Sequence, residues 1–484
     1  MIMNKILTLI LLTAIFLISS CQNKMDKAYE QRKKNLEYSC KDVYEFGDKD
    51  TINYGAVPDS SMYFLNPTCA VREYRKLQVL PDSNGIRCLY DSTGKKKVQL
   101  RGMSAHGLQW GGMADVTENN IKALADDWNC NFFRMVIHVN EEGGYFCNPG
   151  RIHRLLDSTV TWCEKAGIYC LIDFNVSRPG NPNDSIYRKC LVDARFFAKD
   201  FGEYIGKPHD EKQIDLAKTF FTYCAKRYKD KKNIIYGLCA QPNGVDFNNV
   251  HWEEYDNPQV TWKNQIRPYC EEMIGLIRKH DPTVVIVCGT PHFSTRPQDV
   301  INNEPRDSTG KQYGNLMYAL NVSADSYVAR NPNFKNLFKD TVTAISPIWE
   351  KVPVFVTNFM TTDESGRLSF NRDASDKWLE RINKYNISWC NWSFTSEEEG
   401  GLCCVLKWHC GKIPTEKEKN GGKYLDSILT ESGKYIRGKL SEKSLKDTVL
   451  KEGEVILKYK KYISASDTVH TILPLIKKIT LQQN

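Results

Sequence analysis

The chain has 484 residues, 41% of them hydrophobic, with 66 Lys and Arg against 58 Asp and Glu. That apolar fraction excludes a disordered chain, and the length suits either several average domains or one large α/β barrel with extensions. The formal charge of +8 is dispersed rather than gathered into a basic face, which argues against a nucleic-acid binder.

Residues 1–20 place Lys5 ahead of a long apolar run, the pattern of an export signal that is removed rather than folded. The run ends Ile18-Ser19-Ser20-Cys21, which resembles the lipobox of bacterial lipoproteins. The resemblance implies cleavage before Cys21 and acylation of its thiol. The protein is then exported and held by lipid on a bacterial membrane, facing the periplasm or the cell surface. No later stretch is long and apolar enough to span a bilayer.

Residues 21–75 are polar and read as a tether with an irregular segment. From 76 the texture changes to short apolar runs: 98–103, 132–137, 168–174, 234–239, 283–288, 315–320, 353–357 and 387–392. Helical patterns fill all seven intervals, as at 210–228 and 263–280, and another follows at 425–440. Pro268 predicts a kink or a late helix start. Such alternation predicts a (β/α)8 TIM barrel over 76–440, with short N- and C-terminal extensions. No G-x-G-x-x-G follows a strand, which disfavours a doubly wound sheet. The polar stretch 176–209 reads as an insertion after the third strand, and 441–484 as a C-terminal extension.

In a barrel of this kind, chemistry sits where strands end. The ends carry His106, Gln109 and Trp110; Arg134 and His138; Asp173 and Asn175; Ala240 and Gln241; Asn321 and Ser323; Thr357 and Asn358; Asn391 and Trp392. The stretches VQLRGMSAHGLQW (98–110), NFFRMVIHVNEEGGY (131–145), GIYCLIDFN (167–175), NIIYGLCAQPNG (233–244), PVFVTN (353–358) and ISWCNWS (387–393) resemble the family 5 glycoside hydrolases of the cellulase type. The likeness runs over roughly 76–440.

That family cleaves with two glutamates about 5 Å apart, one a general acid/base and one a nucleophile. The resemblance places the acid/base at Gln241, in Ala240-Gln241-Pro242, and the nucleophile at Asn358, in Thr357-Asn358. A carboxamide has no acidic proton near neutral pH, and its oxygen is a poor nucleophile. The family's supporting groups change too: Asn175 and Asn321 replace histidines, Ser323 a tyrosine, His138 an aromatic residue and Ala240 an asparagine. Arg134, His106, Gln109, Trp110, Asn391 and Trp392 remain. With the family's carboxylate missing at 358, Arg134 either contributes to the sugar site or is simply held by backbone carbonyls.

These residues predict an inactive barrel that binds a β-linked glycan, of the β-glucan or β-mannan class, through Trp392, Arg134, His106, Trp110, Asn175 and Asn321. No cofactor or metal is implied. Two other readings stay open. One is an active β-glycosidase using displaced carboxylates, from Glu141, Glu142, Asp363 and Glu364. The other is a structural or interaction protein using the barrel as a platform for 22–75, 176–209 or 441–484. Asp173 has a structural role in the family.

The 17 cysteines sort by position. Cys170, Cys239, Cys288 and Cys390 lie in predicted strands and read as small buried apolar groups, with Cys239 inward beside Gln241 by alternation. Disulfides are expected, if anywhere, among Cys40, Cys69, Cys147, Cys190, Cys403, Cys404 and Cys410. The cluster Cys403, Cys404, His409 and Cys410 fits no zinc spacing.

Overall fold

Near-continuous apolar runs are what parallel strands covered on both faces require. Eight of them close into one barrel in chain order. The computed structural model describes residues 70–441 except 110–115, 140–143, 147–148, 178–179, 184, 188–207, 244–259, 327–347, 364, 367–369, 397–400, 408–418 and 421–422. Residues 1–69, Cys21 among them, and 442–484 therefore lie outside the described residues.

The chain enters with helix α1 (Ala70–Tyr74) and an antiparallel hairpin, β1 (Gln78–Pro81) and β2 (Arg87–Tyr90). The barrel follows as β3 (Arg101–Ser104), β4 (Phe132–His138), β5 (Tyr169–Asn175), β8 (Ile234–Ala240), β9 (Val285–Cys288), β10 (Leu316–Ser323), β11 (Val354–Met360) and β12 (Trp389–Trp392). The insertion after β5 holds a small antiparallel pair, β6 (Ser185–Tyr187) and β7 (Pro208–Lys212). The outer layer includes α2 (Glu118–Asp126), α3 (Pro149–Ala166), α4 (Gln213–Tyr228), α5 (Arg267–Arg278), α6 (Arg372–Lys384) and α7 (Glu431–Ser441). Pro268 sits in the first turn of α5, after a single π turn at Trp262–Ile266, which is the late start its ring demands.

Two hydrophobic cores result. The outer one joins strands to helices. The inner one fills the barrel with Phe132, Leu171, Ile235, Val287, Met317 and Phe355. Ala70, Val71, Leu77, Val79 and Leu89 belong to this inner core, so α1 and the hairpin plug the N-terminal end. Residues 70–75, read from sequence as part of the irregular segment, thus contribute to the barrel. Lys76 Nζ reaches the buried Asp281 at 2.7 Å, and Asn315 Oδ1 accepts from the Val79 N–H at 2.9 Å, tying the plug to the strand starts.

Two expectations need correction. The interval between β9 and β10 holds no regular α-helix, only the turn Pro291–Ser294, with left-handed His292 and Phe293, and a 3-10 turn at Pro297–Val300. Cys239 faces outward, in the core shared with Cys270 and Cys288. A bulge in β8 breaks the alternation, since Asp173 pairs with Gly237 but Asn175 with Ala240. Of the two readings of the Cys403–Cys410 cluster, a loop disulfide or free thiols, Cys403 and Cys404 show the second: both are buried free thiols. Burial raises the thiols of Cys170, Cys224, Cys270 and Cys404, and that of Cys390 to about 12, so these groups pack rather than react. Cys40, Cys69, Cys147, Cys190, His409 and Cys410 lie outside the described residues.

Helices α3 and α4 share a polar cluster. Asp157 accepts from Arg227 Nε at 3.1 Å and Tyr228 OH at 2.8 Å, while the His153 ring stacks on Tyr223 at 3.6 Å. Burial pushes the His153 imidazole down to about 4, against the opposing pull of Asp157. The unfolded chain, with a histidine near the ordinary value of about 6.5, binds more protons between those limits, so stability falls as pH drops through that window. The shift corresponds to roughly 3 kcal/mol at most. Urea melts of His153→Gln at about pH 7 and about pH 4.5 should show a smaller acid loss than the natural chain. An equal loss in both would rule out this origin.

Candidate active-site cleft

The cleft floor is built on one buried ion pair. Arg134 on β4 donates from Nε to Asp173 Oδ2 on β5 at 2.7 Å, with both side chains almost fully buried. Its Nη1 reaches Ser104 Oγ on β3 at 3.3 Å. The register sets Asp173 opposite Val136, two residues beyond Arg134, a step the long guanidinium arm spans. Gly237 on β8 makes room: a Cβ there would meet Asp173 Oδ1 at 2.1 Å. Arg134 is therefore held by a carboxylate, not by backbone carbonyls.

Above this pair lies Trp392, half-buried, with Arg134 Cζ 5.7 Å from its ring and the His106 ring at 5.3 Å. The Trp392–Ser393 peptide is cis. Behind His106, Cys404 contacts its imidazole and lies 3.4 Å from Ser393 Oγ. Trp110 lies outside the described residues.

The amides at the strand ends divide into committed and uncommitted groups. Asn321 donates from Nδ2 to the Phe293 carbonyl at 2.6 Å and accepts from Thr357 Oγ1 at 3.1 Å, so both halves are engaged. Asn175 accepts from the Ser177 N–H at 2.8 Å and donates to Gln241 Oε1 at 3.1 Å. Gln241 follows β8 with a left-handed φ of 57°, a conformation that costs a non-glycine residue about 1 kcal/mol. Its carbonyl accepts from Asn243 Nδ2 at 3.0 Å. Asn358 on β11 is buried, and its Oδ1 has no partner among the described residues; the same holds for Asn391 Oδ1 on β12 and for both ends of the Gln109 amide. Sequence reasoning placed Gln109 and Asn243 at strand ends but gave neither a task, and it missed Ser177.

Among the displaced carboxylates considered, Asp363 is buried and accepts from Ser365 Oγ with both oxygens at 2.9 Å. Glu141, Glu142 and Glu364 lie outside the described residues. No cluster of three metal-ligating side chains occurs among the described residues.

The model of the cellulase family, glycosyl hydrolase family 5, matches residues 90–398, the greater part of the chain and all eight barrel strands. The chain belongs to glycosyl hydrolase family 5. It is 29% identical over 360 residues to the cellulase CelDZ1 of a Thermoanaerobacterium species, a match covering 74% of this chain and 79% of that protein. Endoglucanase 5 of Pectobacterium carotovorum is 29% identical over 72% of this chain, which spans only 55% of that longer protein. The family 5 fold also aligns with the catalytic domain of Thermobifida fusca endoglucanase Cel5A, at 27% identity and TM-score 0.55, covering 77% of this chain and 99% of that domain. A glutamate-to-glutamine variant of that domain has been solved in complex with cellotetraose.

Removing one partner of a buried ion pair strands the other charge, at a cost of about 3–5 kcal/mol. Asp173→Ala should lower unfolding stability by about that amount in urea titration. A loss within about 1 kcal/mol would mean that Arg134 is not held by this pair.

Proposed function

We propose that this family 5 barrel binds a β-glucan oligosaccharide without hydrolysing it, as a lipid-anchored capture protein in bacterial polysaccharide use. The observation that carries the reading is the pair of amides, Gln241 and Asn358, at the ends of the fourth and seventh barrel strands, where the family resemblance expects the two glutamates. An amide at each position removes both the proton donor and the nucleophile, and such paired losses leave little rate. What stays is binding equipment: the Trp392 face with the Arg134 guanidinium beneath it, and the unpartnered amide atoms of Gln109, Asn358 and Asn391. An aromatic face and neutral amides hold sugar by stacking and hydrogen bonds. Support for the ligand class comes from the relative whose glutamine variant carries cellotetraose.

Calorimetry with cellotetraose and with mannotetraose, followed by product analysis, tests the reading. Cellotetraose should bind and be recovered intact, with Trp392→Ala weakening it about tenfold. Binding of neither sugar would defeat the proposal, and turnover of either would replace it by an active glycosidase. Gln241→Glu combined with Asn358→Glu should gain measurable hydrolysis, while each alone should not.

The anchor rests on Ile18-Ser19-Ser20-Cys21 and needs its own test. Cys21→Ala should move the exported protein from the membrane pellet to the soluble fraction and abolish labelling by a fatty acid. Retention of both in the variant would refute the anchor.

A further inference from the structure

The hydrogen-bond polarity of the cleft can be followed from the backbone outward. The Ser177 N–H reaches Asn175 Oδ1 at 2.8 Å. A backbone N–H only donates, so the carbonyl end of Asn175 must face it and the NH2 end must face away. That NH2 meets Gln241 at 3.1 Å, and the atom it meets must accept, which makes it Oε1. The Gln241 side chain is left with Nε2 to offer, and Nε2 has no protein partner among the described residues. The Gln241 backbone is held from the same side. Asn243 Nδ2 donates to the Gln241 carbonyl at 3.0 Å and to the Ser177 carbonyl at 3.1 Å, and the Asn243 N–H donates to Gly180 at 2.8 Å.

We infer that Gln241 is a dedicated hydrogen-bond donor to the bridging oxygen of an uncleaved glycosidic linkage, with Asn175 as the positioning residue that sets its polarity. The ligand class rests on the function proposed above; the polarity does not. A bridging ether oxygen carries lone pairs and no proton, so only a donor satisfies it. An ionised carboxylate at 241 would set lone pairs against lone pairs. The buried Asn358 Oδ1 has the opposite need and is met by a sugar hydroxyl proton. Together the two amides fit an intact linkage flanked by a hydroxyl.

The test has one arm with ligand and one without. Asn175→Asp still accepts from the Ser177 N–H, but it turns the NH2 of Gln241 toward itself and the oxygen toward the cleft. Cellotetraose affinity should fall about tenfold while the melting temperature holds. Affinity equal to that of the natural chain would overturn the inference. Without ligand, Gln241→Glu places a carboxylate against the Asn175 NH2, so its melting temperature at about pH 7 should match or exceed that of the natural chain. A lower value that recovers in acid would show the reverse polarity and overturn the inference. If the natural chain binds no cellotetraose, the proposed function and the assignment to a bridging oxygen both fall. The melting arm then decides the donor polarity on its own.

Discussion

The Arg134–Asp173 pair is the constraint around which the cleft is arranged. It lies inside the barrel, where an unpaired guanidinium costs several kcal/mol, so the charge must be neutralised in place. Asp173 does this from the neighbouring strand, and Gly237 supplies the space. The consequence reaches the cleft above. Because Arg134 is already compensated, no carboxylate is required at 358 to balance it. A neutral Asn358 can occupy the seventh strand end without leaving a buried cation stranded. The same guanidinium lies against the Trp392 ring, so that ring keeps its support whichever residue stands at 358.

Much of this architecture was legible in the sequence. The eight apolar runs were readable because a parallel strand buried on both faces has no polar alternation to blur its limits. Arg134, Trp392, Gln241 and Asn358 were singled out because such a barrel displays side chains where its strands end and because the family resemblance falls on those positions. What escaped reading depends on register and not on composition. The outward turn of Cys239 follows from a bulge, and a period-two argument assumes there is none. The partnership of Arg134 with Asp173 follows from how β4 and β5 align, since Val136 and not Arg134 stands opposite Asp173. The irregular 289–315 connection escaped because its left-handed His292 and Phe293 carry no glycine signal to mark them.

The cysteines illustrate the same limit. A chain with 17 cysteines, read from its sequence as exported, invites a disulfide framework. Yet Cys170, Cys239, Cys270, Cys288 and Cys390 are thiols in two cores already filled by aliphatic and aromatic groups. A barrel of this size buries enough apolar surface to hold together without cross-links. Its thiols behave as small apolar spacers, and burial keeps them protonated.

The two strand-end amides are also coupled to each other through proton affinity. A glutamate at 241 would serve as a general acid only if its proton affinity were raised, by burial or by a second carboxylate close by. With Asn358 in place the second negative charge is absent. With Asn175 donating an N–H to position 241, the ionised form would gain a hydrogen bond. Both influences leave such a glutamate with a low proton affinity and keep it ionised at neutral pH, where it cannot protonate a leaving oxygen. A carboxylate at 358 alone would lack that proton donor and stall at departure of the leaving group. Each position therefore has chemical value only in the presence of the other. Asn175 opposes that coupling without abolishing it, because its NH2 favours an amide or an ionised carboxylate at 241 over the neutral acid that hydrolysis needs.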